Sequence, residues 1–410
     1  MRKYLISIFC ISFLFVSYSQ DKVFNLEDLF KSNKLYADNL RQLQWISKSH
    51  DFVYVENNIL MKQNVKQNHA TEFISLSDIN KALQAVEIED LSNFPVIQKW
   101  VSNKEFCFRW KNILFYYHVE KKTIEKQIAI DKSGKNLEID FSNSQAAYTI
   151  DNNLFVVTAN QKPVQVNQET PEGVKFGHVV HRNEFGVNQG SFWSPQGNFL
   201  AFYRMDESMV ANYPLVNTST RIATLENEKY PMAGETSHQV TLGVYNMKNK
   251  EIVYMQTGEP NDQYLSAVTW SPDEKFIFIV VLNRDQNHLK FNQYDAKTGV
   301  FVKTLFEEKN ERYVEPYHPV YFVPNNPNQF VWSSRRDGWN HLYLYDISGK
   351  LIKQLTSGKW EVKKIAAFNH TGKQLYFYSN KDEIVGNHFY SVQLSNSKIN
   401  RISTDLGVHN

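Results

Sequence analysis

The chain has 410 residues, 42% hydrophobic and 21% charged, which excludes wholesale disorder and leaves room for one large repetitive domain or two ordinary ones. Its 45 basic and 43 acidic residues nearly balance, so neither nucleic acid nor an anionic membrane is a predicted partner. Aromatic content is weighted to Phe (28) and Tyr (22), residues suited to pleated, half-buried surfaces.

At the N-terminus, Arg2 and Lys3 precede an apolar run from Leu5 to Val16. The run is too short for a spanning helix and suits the core of an export signal. Ser17 and Ser19 place cleavage before Gln20, so residues 1–19 are expected to be a signal peptide and the mature protein periplasmic or extracellular. Removing the signal also removes Cys10. Cys107 is then the single cysteine, and no internal disulfide is expected. Its neighbours Phe106 and Phe108 predict an inert thiol in a strand.

Further along, one pattern recurs. Residues 137–150 (LEIDFSNSQAAYTI), 191–203 (SFWSPQGNFLAFY), 268–280 (VTWSPDEKFIFIV) and 365–378 (IAAFNHTGKQLYFY) each read as a short apolar strand, a polar turn and an aromatic-rich strand. Pro195, Gly197, Pro272, Asp273 and Gly372 supply the turn chemistry. A second hairpin follows each copy, as in residues 242–254 and 341–353. Two hairpins make four strands, the size of a propeller blade. About seven such units begin near Trp45, Trp100, Leu137, Phe192, Val268, Val320 and Ile365. The prediction is an all-β β-propeller over residues 20–410, in preference to tandem β-sandwiches.

Two stretches interrupt the repeat. Ser77–Leu91 reads as a short inserted helix, with Ser77 or Asp78 as N-cap and Ile79, Leu83 and Val86 on one face. Residues 204–240 contain Pro214, Pro231 and Gly234 and form a long excursion; such excursions are often functional.

Catalytic signatures are missing from the sequence. There is no Gly-x-Ser-x-Gly elbow, phosphate-cradling glycine loop or Cys-x-x-Cys pair. His178, His181 and Glu184 are spaced three apart and would share a face if helical, but the spacing is no strong metal signature, and neither metal nor cofactor is expected. Asp206 and Glu207 form a second acidic candidate.

Residues 181–186 (HRNEFG), 192–208 (FWSPQGNFLAFYRMDES) and 230–234 (YPMAG), with 313–316 (YVEP), 332–339 (WSSRRDGW) and 358–362 (GKWEV), resemble the dipeptidyl peptidase IV branch of the prolyl oligopeptidase family, bacterial dipeptidyl and prolyl tripeptidyl aminopeptidases above all. The resemblance implies an eight-bladed propeller joined to a C-terminal α/β-hydrolase domain with a Ser-Asp-His triad. About seven of those blades are expected here, without the triad or the hydrolase domain, and with an unpaired sheet edge. It also implies a peptide substrate with a free N-terminus, held by Glu184 through its ammonium group. Asn183 stands where the family often has a second glutamate, so strict dipeptide release is not implied. Arg109 is the nearest candidate for the arginine that holds a substrate carbonyl; Arg204 and Asp206 complete the candidate substrate-binding set. Residues 204–240 correspond to an arm that helps some members dimerise. The implied role is that of the substrate-gating part of an exported serine exopeptidase cleaving after proline or alanine. A stand-alone peptide- or protein-binding propeller is the alternative.

Overall fold

The Trp-Ser-Pro turns show how the repeat is built. Ser194 Oγ accepts the Phe199 N–H at 2.9 Å, and Ser271 Oγ accepts the Phe276 N–H at 2.9 Å, so each serine closes its own hairpin. The tryptophan just before it reaches the preceding blade: Trp193 Nε1 donates to the Glu138 carbonyl at 3.2 Å and Trp270 Nε1 to the Phe192 carbonyl at 3.0 Å. Gly197, Glu274 and Gly372 occupy one equivalent left-handed position, with φ of 71°, 59° and 71°. Glycine meets this requirement freely; Glu274 does not, and its side chain has another task described below.

In the computed structural model, residues 25–30, 39–168 and 170–409 are described, and the expected signal peptide lies outside them. Seven antiparallel sheets follow one another as blades over residues 41–75, 97–129, 135–165, 174–254, 264–309, 321–354 and 362–401. Six have four strands in sequential order; in the fourth blade the first strand is split into Val174–Phe176 and Ser191–Trp193, both paired with Phe199–Asp206. The protein is a seven-bladed β-propeller, and each predicted unit start falls in or beside the first strand of a blade.

The core lies between blades. Phe291 of blade 5 packs against Phe330 and Trp332 of blade 6, with centroids 5.8 Å apart in each pair. Each fully buried aromatic side chain contributes roughly 1.5–3 kcal/mol. On blade 7, Phe389 stacks with Tyr376 and packs tilted against Tyr378, and all three side chains are half-buried. Cys107 is buried in the strand Glu105–Trp110, and burial pushes its thiol up to about 12.

The inserted helix is Leu76–Gln84, shorter and earlier than predicted. Its N-cap is Ser75, and Asp78 is the third helical residue of a capping box. The helix stops because Glu87 turns left-handed (φ 62°) and the Ile88 and Glu87 N–H groups close back on the Leu83 and Gln84 carbonyls. Val86 therefore packs from outside the helix.

Antiparallel order divides the turns between two ends. Turns joining strands one to two and three to four lie at one end; turns joining strands two to three, with the crossovers between blades, lie at the other. At the second end, blades 1–3 turn in two residues, 57–58, 111–112 and 151–152, whereas blades 4–7 use 207–238, 283–287, 335–340 and 380–387.

Candidate functional site

The split strand of blade 4 creates the site. The Gly177 N–H donates to the Tyr203 carbonyl at 2.8 Å, and the Tyr203 N–H donates to the Gly190 carbonyl at 2.9 Å. A Cβ on Gly190 would lie 2.1 Å from the Gly177 carbonyl oxygen. Only glycine allows this neck, through which residues 178–189 leave the sheet. The excursion reaches past blade 5: a Cβ on Gly186 would lie 2.0 Å from the carbonyl oxygen of Tyr317, just before blade 6. A contact that skips a blade places this segment at the axial edge of the sheets.

Within it, His181–Gly186 is a kinked turn. His181, Arg182, Asn183 and Phe185 all have left-handed φ, between 53° and 64°. Each such residue costs about 1–2 kcal/mol, so packing has to hold the turn. His181 is buried; its Nε2 accepts the Leu265 N–H at 3.1 Å. Its Nδ1 therefore carries the proton, and His238 Nε2 lies 3.2 Å away to accept it. Burial, with His238 and Arg284 nearby, pushes His181 down to about 3. Burial and Arg284 also lower His238. Phe185 packs on Tyr264 at 4.8 Å. On the other side Arg182 bonds Glu228 at 2.7 Å and sits over the Tyr230 ring at 4.4 Å.

Glu184 breaks the left-handed run with φ −68° and ψ 162°. It is exposed, and among the described residues its carboxylate has no hydrogen-bond donor or counter-ion. A fixed anion of this kind can accept an ammonium group with several N–H donors. Across from it, Tyr313 and Tyr317 are 56% and 45% exposed. Behind them, Arg335 makes a two-pronged pair with Glu361 at 2.6 and 3.2 Å, and Glu308 accepts from Trp332 Nε1 at 2.7 Å and Ser334 Oγ at 2.9 Å. Tyr313, Glu315, Arg335 and Arg336 line a cavity of about 240 Å³ there.

The predicted set does not converge on one pocket. Asn183 lines a recess with Lys175, His178 and Glu207. Arg204 pairs with Asp206 at 3.6 Å and lines a different recess with Phe176 and Tyr254. Asp206 also accepts from Ser208 Oγ at 2.7 Å. Arg109 lies at the same end of the propeller as Glu184, but its Nε is turned to the Lys111 carbonyl at 3.1 Å. Of the triplet His178, His181 and Glu184, His178 donates to the Asp151 carbonyl at 2.8 Å, His181 is engaged as above and Glu184 faces water. The stretch does not wind as a helix, so the even spacing brings nothing together. Among the described residues no three His, Cys, Asp or Glu side chains converge as metal ligands.

The residues that shape the turn, His238, Tyr264, Arg284 and Glu228, carry no spacing signal, because they come from an arm and a neighbouring blade. One further constellation has the outline of a triad: Ser403 Oγ, His388 and Glu383, with spacings of 3.4 and 3.0 Å. The Arg401 guanidinium already donates to His388 Nδ1 at 3.0 Å. That nitrogen therefore cannot accept the Ser403 proton, and the group is structural.

Residues 93–410 match the family model described as the dipeptidyl peptidase IV N-terminal region. Dipeptidyl aminopeptidase B of Saccharomyces cerevisiae is 23% identical over 92% of this chain and 50% of its own length. A probable dipeptidyl-aminopeptidase B of Uncinocarpus reesii is 27% identical over 62% of the chain and 31% of its own length. The crystal structure of a putative dipeptidyl aminopeptidase IV from Bacteroides ovatus superposes with a TM-score of 0.81 at 37% identity, over 89% of this chain and 53% of that one. Porphyromonas gingivalis dipeptidyl peptidase 4, at 21% identity and TM-score 0.72, shares the fold over 95% of this chain and 56% of its own. The chain thus spans about half, or less, of the length of these relatives.

Proposed function

The chain belongs to the dipeptidyl peptidase IV N-terminal-region family, and from that premise we propose that it is the substrate-gating, N-terminus-binding propeller of an exported serine exopeptidase. Its peptide enters by the axial edge and docks its free amine on Glu184. Chemistry is supplied by a C-terminal α/β-hydrolase domain, releasing short N-terminal peptides after proline or alanine. Export follows the signal expected at residues 1–19. The ribbon formed by Asn212–Asn217 and Thr224–Lys229, with Leu215, Val216 and Leu225 exposed, supports pairing of two copies through the arm.

One observation carries this reading: a carboxylate without a partner, held out from the axial strand on a turn whose other side chains are packed. An ammonium seated on it makes charge-assisted hydrogen bonds worth about 1.5–3 kcal/mol, or roughly 10- to 100-fold in affinity. Calorimetry with an Ala-Pro-Ala tripeptide tests this. Binding is expected for the free amine, with a loss of about that factor on N-acetylation and the same loss in Glu184→Gln. Equal affinity for free and acetylated peptides would overturn it.

A further inference from the structure

We propose that Arg182 is a positioning residue that couples the arm of blade 4 to Glu184, so that the arm sets where the amine-binding carboxylate stands. This rests on the reading of Glu184 given above and adds a control element to it.

The arm has two ends, and both grip the turn. At the end of the ribbon, Glu228 takes Arg182 Nη1 at 2.7 Å, the Lys229 carbonyl takes Nη2, and the Tyr230 ring lies under the guanidinium at 4.4 Å. Where the arm rejoins the sheet, His238 meets His181 at 3.2 Å. The two sides of the arm are tied together at the root of the ribbon: Lys229 Nζ donates to the Val210 carbonyl at 2.8 Å, and the Tyr230 N–H to the Ala211 carbonyl at 3.1 Å. Tyr230 also meets Tyr213 edge-on at 5.9 Å. A displacement of the ribbon is therefore transmitted to Tyr230 and Glu228, and through them to Arg182.

Arg182 stands two residues before Glu184, and Arg182 and Asn183 are both left-handed. A partly exposed ion pair and a cation–π contact are each modest. Their sum is of the same order as the backbone penalty they oppose. The turn is thus close to balance, and the grip on Arg182 decides whether residues 182–184 keep this shape. Phe185 and Gly186 are fixed by blade 5 and by Tyr317, and His181 is held by the Leu265 N–H as well as by His238. What the arm controls is the span between these fixed points, and that span carries Glu184.

The test uses the whole chain with two readouts. Amide hydrogen exchange over residues 181–187 reports the turn directly, through the Asn183 N–H bonded to Val180 and the Val187 N–H bonded to Glu184. Calorimetry with Ala-Pro-Ala reports its consequence. Arg182→Ala is expected to speed exchange at those amides about tenfold and weaken the free-amine tripeptide about tenfold, with the N-acetyl peptide unchanged. Arg182→Lys, which keeps a cation for Glu228 and the Tyr230 ring, is expected to recover part of both losses. Unchanged exchange over 181–187 in Arg182→Ala overturns the proposal, as does a loss in Arg182→Lys as large as that in Arg182→Ala. Glu184→Gln separates this from the functional reading: if it binds Ala-Pro-Ala as tightly as the parent, the amine site is lost, while the exchange result still decides the coupling.

Discussion

The two ends of this propeller are built on opposite principles. At one, hairpin turns are short and bonded to their neighbours. Gln145 Nε2 holds the Gly197 carbonyl at 2.8 Å, Glu274 takes the Gln196 N–H and Asn198 Nδ2 at 2.6 and 2.7 Å, Lys303 reaches the Ile347 carbonyl at 3.0 Å, and Asn325 reaches the His370 carbonyl at 2.9 Å. At the other end the connections of blades 4–7 lengthen, and the excursion from the first strand of blade 4 leaves Glu184 uncommitted. The first end holds the blades in register and the second is free to vary. The difference shows how one sheet topology separates stability from recognition, since the alternation of antiparallel turns assigns each loop to one end. Perturbing each end in turn sharpens the contrast.

The largest effect is expected at the neck. In Gly190→Ala the new methyl meets backbone, which cannot swing aside as a side chain would. The cost is about 3 kcal/mol or more, read as a lower urea midpoint, with loss of Ala-Pro-Ala binding because the excursion is displaced. Full stability with full binding would show that the excursion is not held by its base.

Acidification comes next. His181 titrates near 3 in the folded protein and at the ordinary 6.5 when unfolded. The unfolded chain therefore binds the extra proton first, and stability falls as pH drops from 6.5 towards 3. The contribution is on the order of 3 kcal/mol at pH 4. His181→Gln, which can still accept the Leu265 N–H, is expected to flatten that slope in urea melts. An unaltered slope would mean that the turn opens to water before His181 charges.

At the bonded end, Glu274→Ala orphans the donors of Gln196 and Asn198 and costs about 2 kcal/mol. Ala-Pro-Ala affinity is expected to stay within twofold, since the turn lies at the end opposite Glu184. A fall in affinity matching the fall in stability would dissolve the distinction between the ends.

The two ends also differed in how far they could be read from sequence. The bonded end was legible because its information is local: Trp, Ser, Pro and Gly within five residues specify the hairpin. The broader pattern of paired hairpins, each an apolar strand, a polar turn and a second strand, placed starts in or beside the first strands of all seven blades. The helix start was missed by two or three residues because Ser75 competes with Ser77 for the cap, and only Asp78 at the third helical position decides between them. Glu184 was singled out through the HRNEFG run. The groups that hold it were not, because His238 and Leu265 come from segments 57 and 84 residues away from His181. Arg204 and Asp206 lie close in sequence to the arm, yet their strand turns them towards Tyr254 and away from the turn that carries Glu184. Adjacency along a strand says little about direction when alternate residues face opposite sides.

The smallest expected effect tests the seam between blades 3 and 4. Glu138, on the first strand of blade 3, is half-buried, and its carboxyl has no side-chain partner among the described residues; burial pushes it up to about 7. The sign is opposite to that of His181. The unfolded carboxyl releases its proton near 4.5 and the folded one near 7, so stability is lost as pH rises through that interval. After discounting for its exposure to water, the loss is about 1 kcal/mol. Glu138→Gln is therefore expected to be more stable than the parent at pH 8 by about that amount and equal to it at pH 4. The two windows overlap between pH 4.5 and 6.5, where the slopes oppose and the larger one, that of His181, wins, so the parent's stability is greatest near pH 6.5 and each substitution should remove only its own slope. A Glu138→Gln protein that is less stable at pH 8 would mean that the charge is engaged there and that the seam between blades 3 and 4 depends on it.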